Sequence, residues 1–331
     1  MQTRTLGRTG PRVSALGLGA MGMSALYGPT DRAESLATVH AALDAGVNLI
    51  DTGDFYGAGH NELLLREALA SLPREDAVLS VKFGAQVGPD GDFLGVDGSP
   101  AAVKASLAYT LQRLGTDHVD VYRPARLDPA VPIEETVGAI ADLIAAGYVR
   151  HLGLSEVGAE TLRRAYAVHP VVDVQIEWSL LSRTVERSVL PAARELGVGI
   201  TAYGVLSRGL LGGHWQADRT LAAQDFRAHS PRFSGDNLPR NLALVEALRA
   251  VATARGATVA QLAVAWALHR GPDVVPLVGA RHRDRLTESL GALELELTAS
   301  ELAQLEEAVP DGAAAGERYA PALMGSLDSE R

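Results

Sequence analysis

Residues 46–82 read GVNLIDTGDFYGAGHNELLLREALASLPREDAVLSVK. A short apolar run, Gly46-Val-Asn-Leu-Ile, delivers Asp51 to its end. A helical pattern follows over Asn61–Ser71, with apolar residues at i, i+3, i+4 and i+7. Val78-Leu-Ser-Val-Lys82 is a second β-branched run, and it too ends in an ionisable residue. Strand, helix, strand in this order implies parallel pairing, because a crossover helix returns the chain to the same sheet edge.

Outward from this unit the alternation continues. Ala15–Leu18, Asn48–Asp51, Val78–Lys82, Val119–Arg123, Val149–Ser155, Asp173–Glu177, Gly199–Tyr203 and Val274–Val278 read as strands. Between them Arg32–Ala45, Pro100–Leu114, Ile133–Ala146, Ala159–Val168, Val185–Leu196 and Ala260–Arg270 carry the helical period. Start signals support several of these, such as Ser99-Pro100 and Pro132 followed by Glu134 and Glu135. An open doubly wound sheet would show the same alternation. The barrel is favoured because Asp51, Lys82, Arg123, Ser155, Glu177 and Tyr203 fall at the C-terminal ends of different strands, where barrel enzymes build their sites. The expected fold is therefore α/β, a single (β/α)8 TIM barrel spanning residues 1–331. Gly7 and Gly10-Pro11 suggest an N-terminal β-hairpin capping its opposite end. The Gly/Pro-rich stretch from about Gly212 to Pro239 is long for a βα connection and reads as a lid or cofactor-clasping loop. The tail at 310–331, with Gly312-Ala-Ala-Ala-Gly, is expected to be weakly ordered.

Composition narrows the function classes. A 331-residue chain with 47% hydrophobic and 21% charged residues can bury a large core, and its mean hydropathy of +0.07 suits a globule. A net charge of −10 argues against general affinity for nucleic acid or acidic membranes, both of which need a basic surface. Absence of Cys removes disulfides, thiolate metal sites and cysteine nucleophiles, and suits a reducing cytoplasm. No His-x-x-x-His or clustered carboxylate spacing implies a metal. The first residues lack the apolar core of a signal peptide and no stretch has the length of a membrane span, so the expectation is a cytoplasmic protein.

Chemistry concentrates at Asp51-Thr-Gly-Asp-Phe-Tyr56-Gly57 and at Lys82. The chain has 30 basic residues, of which Lys82 and Lys104 alone are lysines. A sequence that otherwise uses Arg has kept an amine at a strand end, and an ammonium titrates on burial where a guanidinium does not. A buried Asp–Lys pair serving stability alone would use the same two residues. Tyr56 supplies the functional reading: a phenol is a weak acid near neutral pH unless a neighbouring cation stabilises its phenolate. Lys82 can be that cation and Asp51 can orient it. Such a triplet suits proton donation to a carbonyl oxygen as hydride reaches the carbon, with no covalent nucleophile.

Gly17-Leu-Gly19-Ala-Met21-Gly, Asn48-Leu-Ile-Asp51…Tyr56-Gly57, Val81-Lys82-Phe-Gly84, Gly153-Leu-Ser155-Glu156, Gln175-Ile-Glu177-Trp178-Ser179 and Tyr203-Gly204…Leu206…Arg208-Gly209 occur in this order, each at a predicted strand end. Together they resemble the aldo-keto reductase superfamily from about Thr3 to Ala308. The resemblance implies Tyr56 as catalytic acid with Asp51 and Lys82 in support. It also implies Ser155 and Gln175 against a nicotinamide amide and Tyr203 against its ring; strand-end capping and core packing are the alternatives for these three. Gly19, Met21, Asp51, Gly204, Leu206, Arg208 and Gly209 are implied cofactor contacts. One position departs: Ala125, in Val121-Tyr-Arg-Pro-Ala125-Arg-Leu-Asp-Pro129, stands where most relatives carry a His. That variant, with Pro132-Ile-Glu-Glu-Thr, is most similar to the pyridoxal reductase-like branch. His60, His118 and His151 read as structural or exposed rather than as replacements.

The segment Pro276-Leu-Val-Gly279-Ala-Arg281-His-Arg283-Asp-Arg285-Leu-Thr-Glu288-Ser289 joins the last strand to a helix. Relatives hold an adenosine 2′-phosphate at this turn, and Arg side chains at a helix start form a natural anion site. A solvated helix start is the alternative. The implied cofactor is thus NADPH/NADP+, with Gly279, Arg281, Arg285, Glu288 and Ser289 among its contacts, and the implied partner a small carbonyl substrate. A second class, an NADPH-binding regulatory module resembling potassium-channel β-subunits, remains open. The oligomeric state is likewise open.

Overall fold

The computed structural model describes residues 1–330 apart from 25, 217, 223 and 224. Eight parallel strands close into a barrel in chain order: β1 (Gly17–Gly19), β2 (Leu49–Gly53), β3 (Val78–Phe83), β4 (Val119–Pro124), β5 (Val149–Ser155), β6 (Val171–Glu177), β7 (Gly199–Tyr203) and β8 (Val274–Gly279), which pairs back onto β1. All residues of β2, β3 and β6 are buried, as expected of strands covered by helices outside and by side chains inside. Among the described residues no single helix is long and apolar enough to cross a membrane.

Strands Thr3–Thr5 and Arg12–Ser14 form the expected antiparallel hairpin. Leu6 and Val13 plug the N-terminal end of the barrel by packing on Leu49, Val78, Val121, Val172 and Val275, each near the start of a strand. The hairpin turn runs so close that a Cβ at Gly7, where φ is +59°, would lie 2.3 Å from the Val172 carbonyl oxygen. That end is sealed, so the opposite mouth must hold any site.

Helix starts follow local chemistry. Asp31 and Ser99 accept from the backbone N–H of Glu34 and Ala102, and Thr258 and Thr298 each form a capping box with Gln261 and Glu301. The helix expected at Val185–Leu196 is split: a 3-10 turn covers Thr184–Arg187 and the α-helix begins at Val189. Pro191 has no N–H to offer the Arg187 carbonyl, a loss that is tolerated in the first turn of a helix beginning at Val189 but not in the interior of one beginning at Val185. A hairpin of Ala85–Val87 and Phe93–Val96 after β3 and a 19-residue helix, Asn237–Arg255, lie outside the sequence expectations. Residues 310–330, the stretch expected to be a tail, pack on the barrel mouth. Arg318 is 4% exposed and pairs with Glu156, Glu177 and Glu330, while Ser329 donates to Glu156. Small residues dominate the stretch, but Arg318 and the neighbouring Tyr319 anchor it in a cluster of buried acids and phenols that local composition cannot reveal.

Candidate active site

At the open mouth, strand register sets the first pair. Asp51 is opposite Ser80 and Gly53 opposite Lys82, so both ionisable side chains emerge at the top of adjacent strands. The Lys82 ammonium donates to Asp51 Oδ1, and both residues are almost wholly buried. Asp51 Oδ2 accepts from Ser80 Oγ at 2.8 Å and from Gln175 Nε2 at 2.6 Å. Lys82 Nζ lies 5.3 Å from the centre of the Tyr56 ring. Among the described residues the Tyr56 hydroxyl has no hydrogen-bond partner, although the residue is only 5% exposed. Burial lowers Lys82 to about 8, against the opposing pull of Asp51. Burial also raises Tyr56 well above its ordinary range, Asp51 adds to the rise, and the Arg126 guanidinium works to lower it.

Below this pair the barrel interior is polar. Arg123 donates to Ser80 Oγ and to Asp173 Oδ2, both at 3.0 Å, and Thr201 completes the chain by donating to Asp173. Two cations and two anions alternate along the network, Lys82, Asp51, Arg123 and Asp173, so the buried charges offset one another.

The remaining expected residues surround the mouth. Ser155 Oγ is buried and has no partner among the described residues, whereas Gln175 is committed to Asp51. Tyr203 is held by its hydroxyl, which donates to Glu156 Oε1 at 2.8 Å and meets the Tyr319 hydroxyl at 2.9 Å. Gly19 ends β1 and Met21 opens the turn Met21–Ser24. Gly204, Leu206, Arg208 and Gly209 follow β7 in a contorted turn, with φ of +67° at Gly204, +56° at Arg208 and +100° at Gly209. Arg208 donates to Glu177 at 3.1 Å and lies 4.4 Å above the Tyr319 ring. Glu156, at φ +52°, accepts from Arg318, Tyr203, Ser329 and the Glu177 N–H, contacts that can hold such a strained backbone.

Beyond β8 the basic cluster divides. An open cavity of about 610 Å³ is lined by Glu34, His282, Arg283, Asp284 and Arg285 at the start of helix Arg283–Leu290. Arg281 instead donates to the Tyr27 and Pro29 carbonyls, and Arg283 pairs with Glu34. Arg285 contacts Asp284 and Glu288 while nearly half exposed; Glu288 also meets His214, and Ser289 donates to the Arg285 carbonyl.

The Aldo/keto reductase family model matches residues 15–310. The chain belongs to that family. It is 41% identical over 322 residues to "Probable aldo-keto reductase 1" of Glycine max, covering 96% of this chain and 92% of the other. Among solved structures it is similar to the glycerol dehydrogenase AKR11B4 from Gluconobacter oxydans, with a TM-score of 0.84, 31% identity, and coverage of 92% and 94%. The thermostable aldo-keto reductase Tm1743, solved with the inhibitor epalrestat, gives a TM-score of 0.74 at 28% identity, covering 93% of this chain and 100% of that one. Membership of the aldo/keto reductases carries nicotinamide-dependent oxidoreduction of small carbonyl compounds as the coarse activity.

Within this aldo/keto reductase mouth, four groups lay outside the sequence expectations: Tyr27, Arg126, Arg318 and Tyr319. A charged and aromatic pair, Arg318-Tyr319, in a tail of small residues was the signal for the last two. Asp54 is another. Burial lifts its carboxyl to about 7, Glu62 pushes the same way, and its buried Oδ1 lacks a partner among the described residues. A raised folded pKa gives stability that is complete below the ordinary 3.8 and lost as pH rises through about 7. Asp54→Asn removes that titration, so its gain in Tm over the parent is expected to be larger near pH 8 than near pH 5. Thermal melts at the two pH values check this, and equal gains would contradict it.

Proposed function

We propose that the chain is a cytoplasmic, single-domain NADPH-dependent reductase of aldehydes or ketones, with Tyr56 as general acid supported by Lys82 and Asp51. The observation that carries this reading is the Lys82 ammonium held between the Asp51 carboxylate and the Tyr56 ring at the barrel mouth. The orphaned Ser155 Oγ fits a nicotinamide carboxamide, for it is a buried hydroxyl with unused hydrogen-bonding capacity. NADPH, when bound, supplies the hydride. Ser155 and Gln175 orient the carboxamide, and the tethered Tyr203 offers its ring face. Gly19, Met21, Gly204, Leu206, Arg208, Gly209 and Gly279 line the remaining path. Tyr56 gives its proton to the carbonyl oxygen, and Lys82 stabilises the phenolate left behind. Ala125, 2% exposed, offers no hydrogen bond beside that oxygen. An aldehyde with an adjacent hydroxyl, pyridoxal foremost, can bring its own donor.

The test is oxidation of NADPH across a panel of aldehydes that includes pyridoxal. Turnover on any of them supports the reductase, and tight NADPH binding without turnover on all of them would make the chain a binding module. Cofactor choice has its own check. Of the two arginines lining the open cavity, Arg283 is paired with Glu34, and Arg285, with Arg281, Glu288 and Ser289 nearby, is the receptor for the 2′-phosphate. Losing one charge-assisted contact costs about 1.5–3 kcal/mol, so Arg285→Ala is expected to weaken NADPH roughly tenfold or more and leave NADH nearly unchanged. Fluorescence titration with both cofactors reads the gap, and equal affinities in the parent protein would end the assignment.

A further inference from the structure

Four arginines around the mouth have carboxylates within reach. Arg208 and Arg232 pair with Glu177, Arg227 with Asp225, and Arg318 with Glu156 and Glu177. Arg126 differs. It follows Ala125 directly and is partly exposed, yet it makes no ion pair among the described residues. Its guanidinium donates to the Ala125 carbonyl at 2.6 Å and to the Tyr319 hydroxyl at 3.3 Å. The neighbouring carboxylate, Glu156, is already bound by Arg318, Tyr203, Ser329 and a backbone N–H. A guanidinium carries five N–H donors in a planar fork suited to a carboxylate, and here most of the fork is unused.

The position of this charge matters more than its lack of a partner. Ala125 N donates to the Phe83 carbonyl at 2.8 Å, which places the 125–126 turn against the residue following Lys82. The Arg126 charge acts on both reacting side chains: after burial and Asp51 it is a cation that lowers Tyr56, and after burial and the Asp51 and Arg123 charges it lowers Lys82. The turn that carries it also carries Ala125 and packs on the strand of Lys82, so the charge lies on the side of the mouth where the Ala125 methyl leaves a gap. Burial alone would lower the guanidinium's own pKa, but Tyr319, Tyr203 and Glu156 outweigh this, so it stays charged. A fixed cation with free donors next to the reacting carbonyl is a receptor for negative charge on the substrate.

We propose that Arg126 selects carbonyl substrates that carry an anionic group, a carboxylate or an ionised phenol, next to the carbonyl. This rests on the reductase reading and narrows its substrate class. Phenylglyoxylate and its methyl ester form a suitable probe pair, since they share carbon skeleton and reacting ketone. In the parent enzyme with NADPH the acid is the better substrate. Arg126→Gln is expected to lower the acid-to-ester ratio of kcat/KM about 30- to 100-fold, the size of one lost charge-assisted pair. Arg126→Lys keeps the charge but not the fork and lands between the two. An unchanged ratio in both variants overturns the proposal. Should Arg126→Gln fail to fold, the Arg126→Lys ratio decides alone, and no fall there overturns it. A second measurement needs no turnover: benzoate added to the enzyme with NADP+ raises the Tm of the parent most, of Arg126→Lys less, and of Arg126→Gln not at all. Equal shifts in all three overturn the proposal even if no carbonyl is reduced. Absence of turnover on every carbonyl, with the benzoate difference intact, removes the reductase reading and leaves the anion site.

Discussion

Tyr56→Phe is expected to lower kcat for carbonyl reduction about a thousandfold, within the span attributed to a positioned general acid. The substitution deletes one oxygen that makes no hydrogen bond among the described residues, so nothing in the packing is left unpaired. The edge-to-face contact with Phe55, with centroids 4.7 Å apart, survives. Stability and NADPH affinity should therefore stay close to the parent while turnover collapses. Single-turnover kinetics with NADPH, alongside a thermal melt, separate these quantities. Parental rates in Tyr56→Phe would mean that water or another group delivers the proton.

Lys82→Met is expected to lose both activity and stability, and the double variant with Asp51→Asn to recover the second without the first. Removing one partner of a buried pair leaves an uncompensated charge and costs about 3–5 kcal/mol. Asp51 keeps Ser80 and Gln175 but loses its cation. Neutralising Asp51 as well removes the stranded charge, yet no ammonium remains to stabilise the Tyr56 phenolate. Melting and turnover of the parent, both single variants and the double variant check this. Parental turnover in the double variant would reduce the pair to a structural role. The parent's pH dependence follows from the same ammonium. Burial brings Lys82 to about 8, so reduction should decline as pH rises through that value. Stability has the opposite slope: between about 8 and the ordinary 10.5 the unfolded chain holds more protons, so this group favours the folded state increasingly as pH rises.

The eight strands were legible as short apolar runs, and the barrel followed from the six that end in a polar residue, Asp51, Lys82, Arg123, Ser155, Glu177 and Tyr203. Register places Asp51 and Lys82 at the top of adjacent strands, while Gln175 reaches Asp51 from across the barrel, a contact the sequence did not suggest. Pro191 could have been read as the break inside residues 185–196, because its missing N–H is a local fact. The tail could not. Arg318 and Tyr319 owe their order to Glu156, Glu177 and Tyr203, which lie over a hundred residues away in the chain. Arg126 was hidden for a related reason: its sequence neighbours do not show that Arg208, Arg227, Arg232 and Arg318 pair with carboxylates while it pairs with none among the described residues. The basic run after β8 was legible as charge, but only the packing separates Arg285, at the cavity, from Arg281, turned to the Tyr27 and Pro29 carbonyls.

Scarcity of lysine also decides how this protein can be attached to a surface. Amine-directed coupling meets Lys104, half exposed on the outer helix Pro100–Leu114, and the amino group of Met1 beside the sealed hairpin end. Neither anchor is among the residues that surround the mouth, so immobilisation through amines leaves the proposed active site unattached. Lys82 is the third amine, and its lowered pKa leaves it partly uncharged near pH 8, shielded by burial and by its pair with Asp51. A bulky activated ester would spare it, while a small acylating reagent that penetrates the mouth would cap the ammonium beside Tyr56. Reagent size, rather than reagent chemistry, then sets whether the attached protein stays active.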